Sequence, residues 1–198
     1  MNYLAHFYLG FNDPDTVAGQ FLADSYKGNR FRKLPAPIAR GVILHRHIDS
    51  FTDTHEQLGL LRAELRLVTG KWAGPALDVL CDHMLSLHWQ THTDDVALDE
   101  FIESNYEILA QYRHLCSERG RYMLDAMRRY NWLNMYRTNA GMQQIFEGMS
   151  RRLTGADGLK QVMKMYEQSE NQFIEVFNSF FPELVSSCKQ KFLSIEYL

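Results

Sequence analysis

Cysteine is scarce: Cys81, Cys116 and Cys188 are the whole set, far apart and without a CxxC spacing. An odd, scattered trio builds neither a disulfide framework nor a thiolate zinc site, so these thiols are expected to be reduced. Five prolines and twelve glycines leave few helix breakers in 198 residues. No apolar run approaches the roughly 18 residues of a spanning helix, and the start MNYLAHFYLG lacks the basic n-region of a signal peptide. These absences predict a cytoplasmic protein with no membrane partner. A net charge of −3 gives nucleic acid no global attraction, so an acidic partner would need a local basic patch. There is also no Walker loop, GxGxxG, GxSxG elbow or HExxH, which moves P-loop NTPases, Rossmann dehydrogenases, elbow-type serine hydrolases and common zinc proteases out of the first rank.

What is present suits a helical core. Hydrophobic residues make up 45% of the chain and aromatics 13%, enough to bury a large interior. The length fits one domain over residues 1–198, with no linker or repeat to divide it. Helical periodicity runs through 16–28, through a segment starting near Pro37, through 56–67 and onward from Pro75. It continues through 99–115, 121–136, 139–153 and a long stretch over 158–181. No alternation predicts a sheet. The expected fold is an all-α, single-domain helical bundle.

One polar constellation stands out. In Gly41–Asp53, GVILHRHIDSFTD, a helical advance of about 100° per residue aligns His45, Asp49 and Asp53 on one stripe. His47 sits roughly 200° from His45 and cannot share an ion with it, so it is left out. The nearly all-apolar segment ALDVLCDHMLSLHW adds Asp78, Asp82 and His83; a helix of that kind is buried, and buried charges are paired or bind metal. His6 lies in an aromatic N-terminal segment, where a lone histidine is more often a core residue. Asp24 stands near the end of a helix, on the wrong side of its dipole. A blander reading makes His45–Asp49 a surface pair, Asp53 a cap and Asp82–His83 a core hydrogen bond. Taken together, imidazoles and carboxylates from several helices suit an open Mn, Fe, Mg or Zn site. Such sites activate water and neutralise phosphoryl charge, so the expected chemistry is metal-dependent phosphoester hydrolysis.

Four motifs in order, NYLAH, GQFLAD ending at Asp24, HRHIDSFTD and LDVLCDHMLSLHW, together with FEGMSRRL, resemble the bacterial acyl carrier protein phosphodiesterases. That resemblance implies an all-helical fold distantly related to HD-domain phosphohydrolases and a divalent metal, with Mn2+ favoured and Mg2+ or Fe2+ as alternatives. It also implies release of 4′-phosphopantetheine from the serine of holo-acyl carrier protein. His6, Asp24, His45, Asp49, Asp82 and His83 fall on its motif positions, with Asp53 and Asp78 as auxiliaries. On this reading Asp24 or Asp53 positions the nucleophile, and Arg46 or Lys27 clamps a phosphate oxygen. Arg30, Arg32 and Lys33 are the first docking candidates for the acidic carrier, and Arg128, Arg129, Arg151 and Arg152 the second. The alternatives are an HD-like phosphohydrolase acting on nucleotides or other small phosphoesters, and a non-catalytic helical module with a structural polar or metal cluster.

Overall fold

Sparse breakers and long side chains give an all-α chain in the computed structural model, which describes residues 1–93 and 96–195; no strand occurs among them. The first five helices are α1 (Tyr3–Tyr8), α2 (Pro14–Leu22), α3 (Ala36–Thr54), α4 (Glu56–Thr69) and α5 (Ala73–Leu87). Beyond them lie α6 (Trp89–His92), α7 (Leu98–Gln111), α8 (Glu118–Tyr130) and α9 (Trp132–Met135). The chain then forms α10 (Asn139–Arg152), α11 (Val162–Gln168) and α12 (Glu170–Ser194). Their buried faces merge into one continuous core from Met1 to Cys188. The aromatic share is spent there: Phe173, Phe177, Phe180 and Phe181 line the inner face of α12, which packs on α3, α4 and α5.

Two local devices position the polar cluster. A six-residue helix is too short to hold itself together in water. α1 persists because its free N-terminal amides find an acceptor on α5. Asp82 Oδ1 accepts from the amides of Asn2 at 3.1 Å and Ala5 at 3.3 Å, and Oδ2 accepts from Leu4 at 2.7 Å. The second device is the crossing of α2 and α3, where backbones touch. A Cβ on Gly19 would lie 2.1 Å from the Ile38 carbonyl oxygen, and one on Gly41 would lie 2.2 Å from that of Thr16. Only glycine at both positions permits this approach, and His45 follows Gly41 by one turn on the same face.

Several helix boundaries differ from the periodic reading. The helix over 16–28 stops at Leu22, and Ala23–Ser25 forms a 3-10 turn. Long-range bonds pull the chain off the helical path there: Tyr26 donates to the Leu115 carbonyl, and Arg46 donates to the carbonyls of Tyr26 and Gly28. Arg30–Lys33 is a 3-10 turn anchored by buried Phe31. Segment 121–136 breaks at Asn131, whose φ of 46° is a left-handed conformation that asparagine tolerates. The helix over 158–181 divides at Ser169, and its second part runs on to Ser194.

Candidate active site

α1 and α3 bring three ligand-type side chains to one point. His6 Nε2 lies 3.3 Å from Asp49 Oδ1, and His45 Nε2 lies 3.2 Å from Asp49 Oδ2. The imidazoles stack, with centroids 4.1 Å apart. One ligand atom from each of His6, His45 and Asp49 falls within 4.8 Å of the others, close enough to hold one metal ion. They sit in a cleft of about 410 Å³ that is also lined by Tyr3, Asp24, Thr52, Asp53 and Asp78.

The protonation states fit a cation. His6 Nδ1 is 2.9 Å from Gln20 Oε1, which only accepts, so Nδ1 carries the proton. Burial and neighbouring His45 push the His6 pKa down, so its ring is neutral and its Nε2 lone pair faces Asp49. Burial works to raise the Asp49 carboxyl, but its interaction with the His45 ring outweighs it and holds the group well below the ordinary carboxylate range. A neutral imidazole lone pair and a carboxylate therefore oppose each other at contact distance. That arrangement calls for a shared cation, and a hydrogen-bonded Nδ1–H is how ligating histidines are oriented. His45 Nδ1 is buried without a hydrogen-bond partner among the described residues.

The other expected site residues divide between wall and scaffold. Asp24 is exposed on its 3-10 turn and lines the cleft, with no hydrogen bond or ion pair among the described residues. Asp53 and Asp78 also line it, but Asp53 pairs with Arg62 at 3.4 Å and Asp78 with the Met1 ammonium at 2.7 Å.

Asp82 and His83 do not join the cluster. Asp82 is fully buried with its oxygens on the amides of Asn2, Leu4 and Ala5 at the start of α1, and burial lifts its pKa to about 7 against the pull of the Met1 ammonium and those amides. Its part is to position the helix that bears His6. His83, about 100° further round α5, donates from Nδ1 to the Tyr136 carbonyl at 2.6 Å. An HD-style analogy that seeks ligands in this adjacent pair therefore looks in the wrong place. Arg46 lies outside the cleft as well. Its guanidinium stacks over Phe31 at 4.7 Å and fastens the Tyr26–Gly28 turn, so it is not free to clamp phosphate. His47 faces Ser187 Oγ at 2.8 Å.

Arg30, Arg32 and Lys33 are exposed, and none pairs with an acid among the described residues. Lys27 opens onto a second cavity beside the cleft. Sequence reasoning missed Gln20, Thr52 and Tyr3. Gln20 carried a signal, as a polar residue between Val17 and Phe21 on an apolar helix face, and it is 1% exposed. Thr52 Oγ1 is buried, has no hydrogen-bond partner among the described residues and borders the cleft.

Fold and cleft together define an all-α protein with a two-histidine, one-carboxylate cluster beside an unpaired aspartate. The acyl carrier protein phosphodiesterase family model matches residues 1–184. Relatives named acyl carrier protein phosphodiesterase include one from Enterobacter sp. (strain 638), 28% identical over 96% of this chain and 99% of its own. Another, from Salmonella agona (strain SL483), is 28% identical over 98% of this chain and 100% of its own. The chain belongs to the acyl carrier protein phosphodiesterase family and is by class a phosphodiesterase. No solved structure matches it. No described helix is long and apolar enough to cross a membrane.

Proposed function

We propose that this protein hydrolyses the phosphodiester of holo-acyl carrier protein, releasing 4′-phosphopantetheine and leaving apo-acyl carrier protein, with a divalent metal as cofactor. The observation that carries the reading is the convergence of His6, His45 and Asp49 in the cleft of a chain from this family. These three residues would hold the ion, and an all-N/O donor set of two imidazoles and one carboxylate suits Mn2+, with Mg2+ or Fe2+ as alternatives. A bound divalent ion supplies charge neutralisation at the phosphoryl oxygens and acidifies water.

The chain's own residues do the rest. Gln20 fixes the tautomer of His6, and Asp82 fixes the helix that carries it. Asp24, the unpaired carboxylate of the cleft, accepts a proton from the attacking water. The water oxygen bonds to phosphorus, the bond to the carrier serine oxygen breaks, and that oxygen leaves as a hydroxyl after taking a proton. Arg30, Arg32 and Lys33 form a cationic turn for the acidic carrier, held in place by Phe31. The compartment in keeping with this substrate and three free cysteines is the cytoplasm.

The test is release of phosphopantetheine from purified holo-carrier with and without Mn2+, beside Asp24→Ala. Metal-dependent release that is lost in the variant is the expected result. Folded, metal-loaded protein that releases nothing would refute the reading and direct attention to nucleotide phosphoesters.

A further inference from the structure

A second cavity of about 350 Å³ adjoins the cleft and shares Tyr3 and Asp24 with it as a common wall. Its remaining walls come from the end of α2, the turn that follows, and the first two turns of α8. Phe21, Leu22 and Met123 make one side apolar, while Ser25, Lys27 and Arg119 bring polar groups to the other. The cavity is built rather than accidental. Ser25 Oγ meets Ser117 Oγ at 3.1 Å, and Tyr26 Oη donates to the Leu115 carbonyl at 3.2 Å, so the turn and the start of α8 are tied together. Tyr3 Oη donates to Met123 Sδ at 2.7 Å across the same space.

The two cavities differ in charge. Among the described residues the cleft is walled by Asp24, Asp49, Asp53 and Asp78 without a lysine or arginine side chain, whereas Lys27 and Arg119 open onto its neighbour. Neither cation has an acidic partner among the described residues. A phosphodiester held at the cleft has two substituents, and on the function proposed above they are unlike. One is a folded protein that has to remain outside. The other is a slender uncharged arm with two amides, a hydroxyl, a gem-dimethyl group and a terminal thiol. Only that arm can enter a space of this size, and a half-apolar, half-donor lining matches it.

We propose that this second cavity is the subsite for the pantetheine arm: Phe21, Leu22 and Met123 contact its gem-dimethyl and methylene groups, and Lys27 and Arg119 donate to its amide carbonyls. Tyr3 and Asp24 then stand at the junction between arm and phosphorus. The assignment rests on the phosphodiesterase reading, and it sets the polarity of the substrate, with the arm towards α8 and the carrier remaining outside.

The experiment compares three substrates: holo-carrier, the methyl ester of 4′-phosphopantetheine, and bis(4-nitrophenyl) phosphate, which has no arm. Met123→Trp fills the cavity. Its expected effect is a rise of tenfold or more in KM for both arm-bearing substrates relative to the aryl diester. Lys27→Ala with Arg119→Ala changes only exposed side chains, so folding is not at stake; the expected KM rise for the methyl ester is threefold or more relative to the aryl diester. Equal changes on all three substrates would overturn the subsite while leaving the proposed function standing. Wild-type protein that cleaves the aryl diester but neither arm-bearing substrate would overturn both.

Discussion

Gly41→Ala pits helix propensity against packing, and the distances decide the sign. In a free helix the change would stabilise by about 1 kcal/mol, because glycine loses more backbone entropy. At this crossing the new Cβ would lie 2.2 Å from the Thr16 carbonyl oxygen and 2.8 Å from Gly19 Cα. Ordinary contact begins near 3.4 Å, so α2 and α3 would have to part by about 1 Å. Overpacking of that kind costs about 1–3 kcal/mol, which outweighs the propensity gain. A net loss of up to about 2 kcal/mol corresponds to a fall in Tm of up to roughly 4–8 °C for a chain of this length. The site is affected too, since His45 lies one turn beyond Gly41, and Gln20, which holds His6, is next to Gly19. A misplacement of about 1 Å can cost on the order of a hundredfold in rate. Gly59→Ala and Gly148→Ala are the controls: both are helical glycines with nothing within 4 Å of an added Cβ, so they should raise Tm slightly. Thermal unfolding of the three variants, with hydrolysis of holo-carrier, makes the comparison. A Gly41→Ala protein that is more stable than wild type and fully active would refute the argument.

Three other outcomes are expected. Gln20→Leu removes the acceptor that fixes the His6 tautomer and should weaken divalent-metal binding by about 10–100-fold in calorimetric titration; undiminished affinity would sink the tautomer argument. Asp49 has a depressed folded-state pKa, so its contribution to stability is present above the unfolded carboxylate range and is lost as pH falls through and below it. Urea unfolding of metal-free protein between pH 5 and pH 3 should show that loss, and Asp49→Asn should flatten it; an unchanged slope contradicts the assignment. Arg32→Glu with Lys33→Glu should raise KM for the carrier about tenfold more than for a small diester, and equal effects on both would remove the docking role.

The all-α class and most helices were legible in the sequence because period and composition agreed over long segments. The stripe of His45 and Asp49 was legible for the same reason: an i, i+4 spacing survives whatever surrounds it. Periodicity could not reveal the bonds that end a helix early, such as those from Arg46 to the carbonyls of Tyr26 and Gly28, because their partners are remote in sequence. Asp82 shows the same limit in a different form. A buried aspartate beside a histidine on an apolar helix looks like a ligand until its three amide donors, all at the start of the chain, are known. Gln20 went unremarked because its importance comes from one contact with His6, which no spacing rule encodes.

The bond between Asp82 and α1 also bears on when the cluster can first exist. Leu4 and Asp82 are separated by 78 positions, and closing a loop of that length costs about 4 kcal/mol in chain entropy. α1 has no stability of its own to set against that cost. A nascent chain that has emerged only as far as α4 therefore has His45 and Asp49 in register on α3 but no seat for His6. The complete three-ligand cluster is a late event in folding, and amide exchange at Leu4 should become protected together with α5 rather than with α2 and α3.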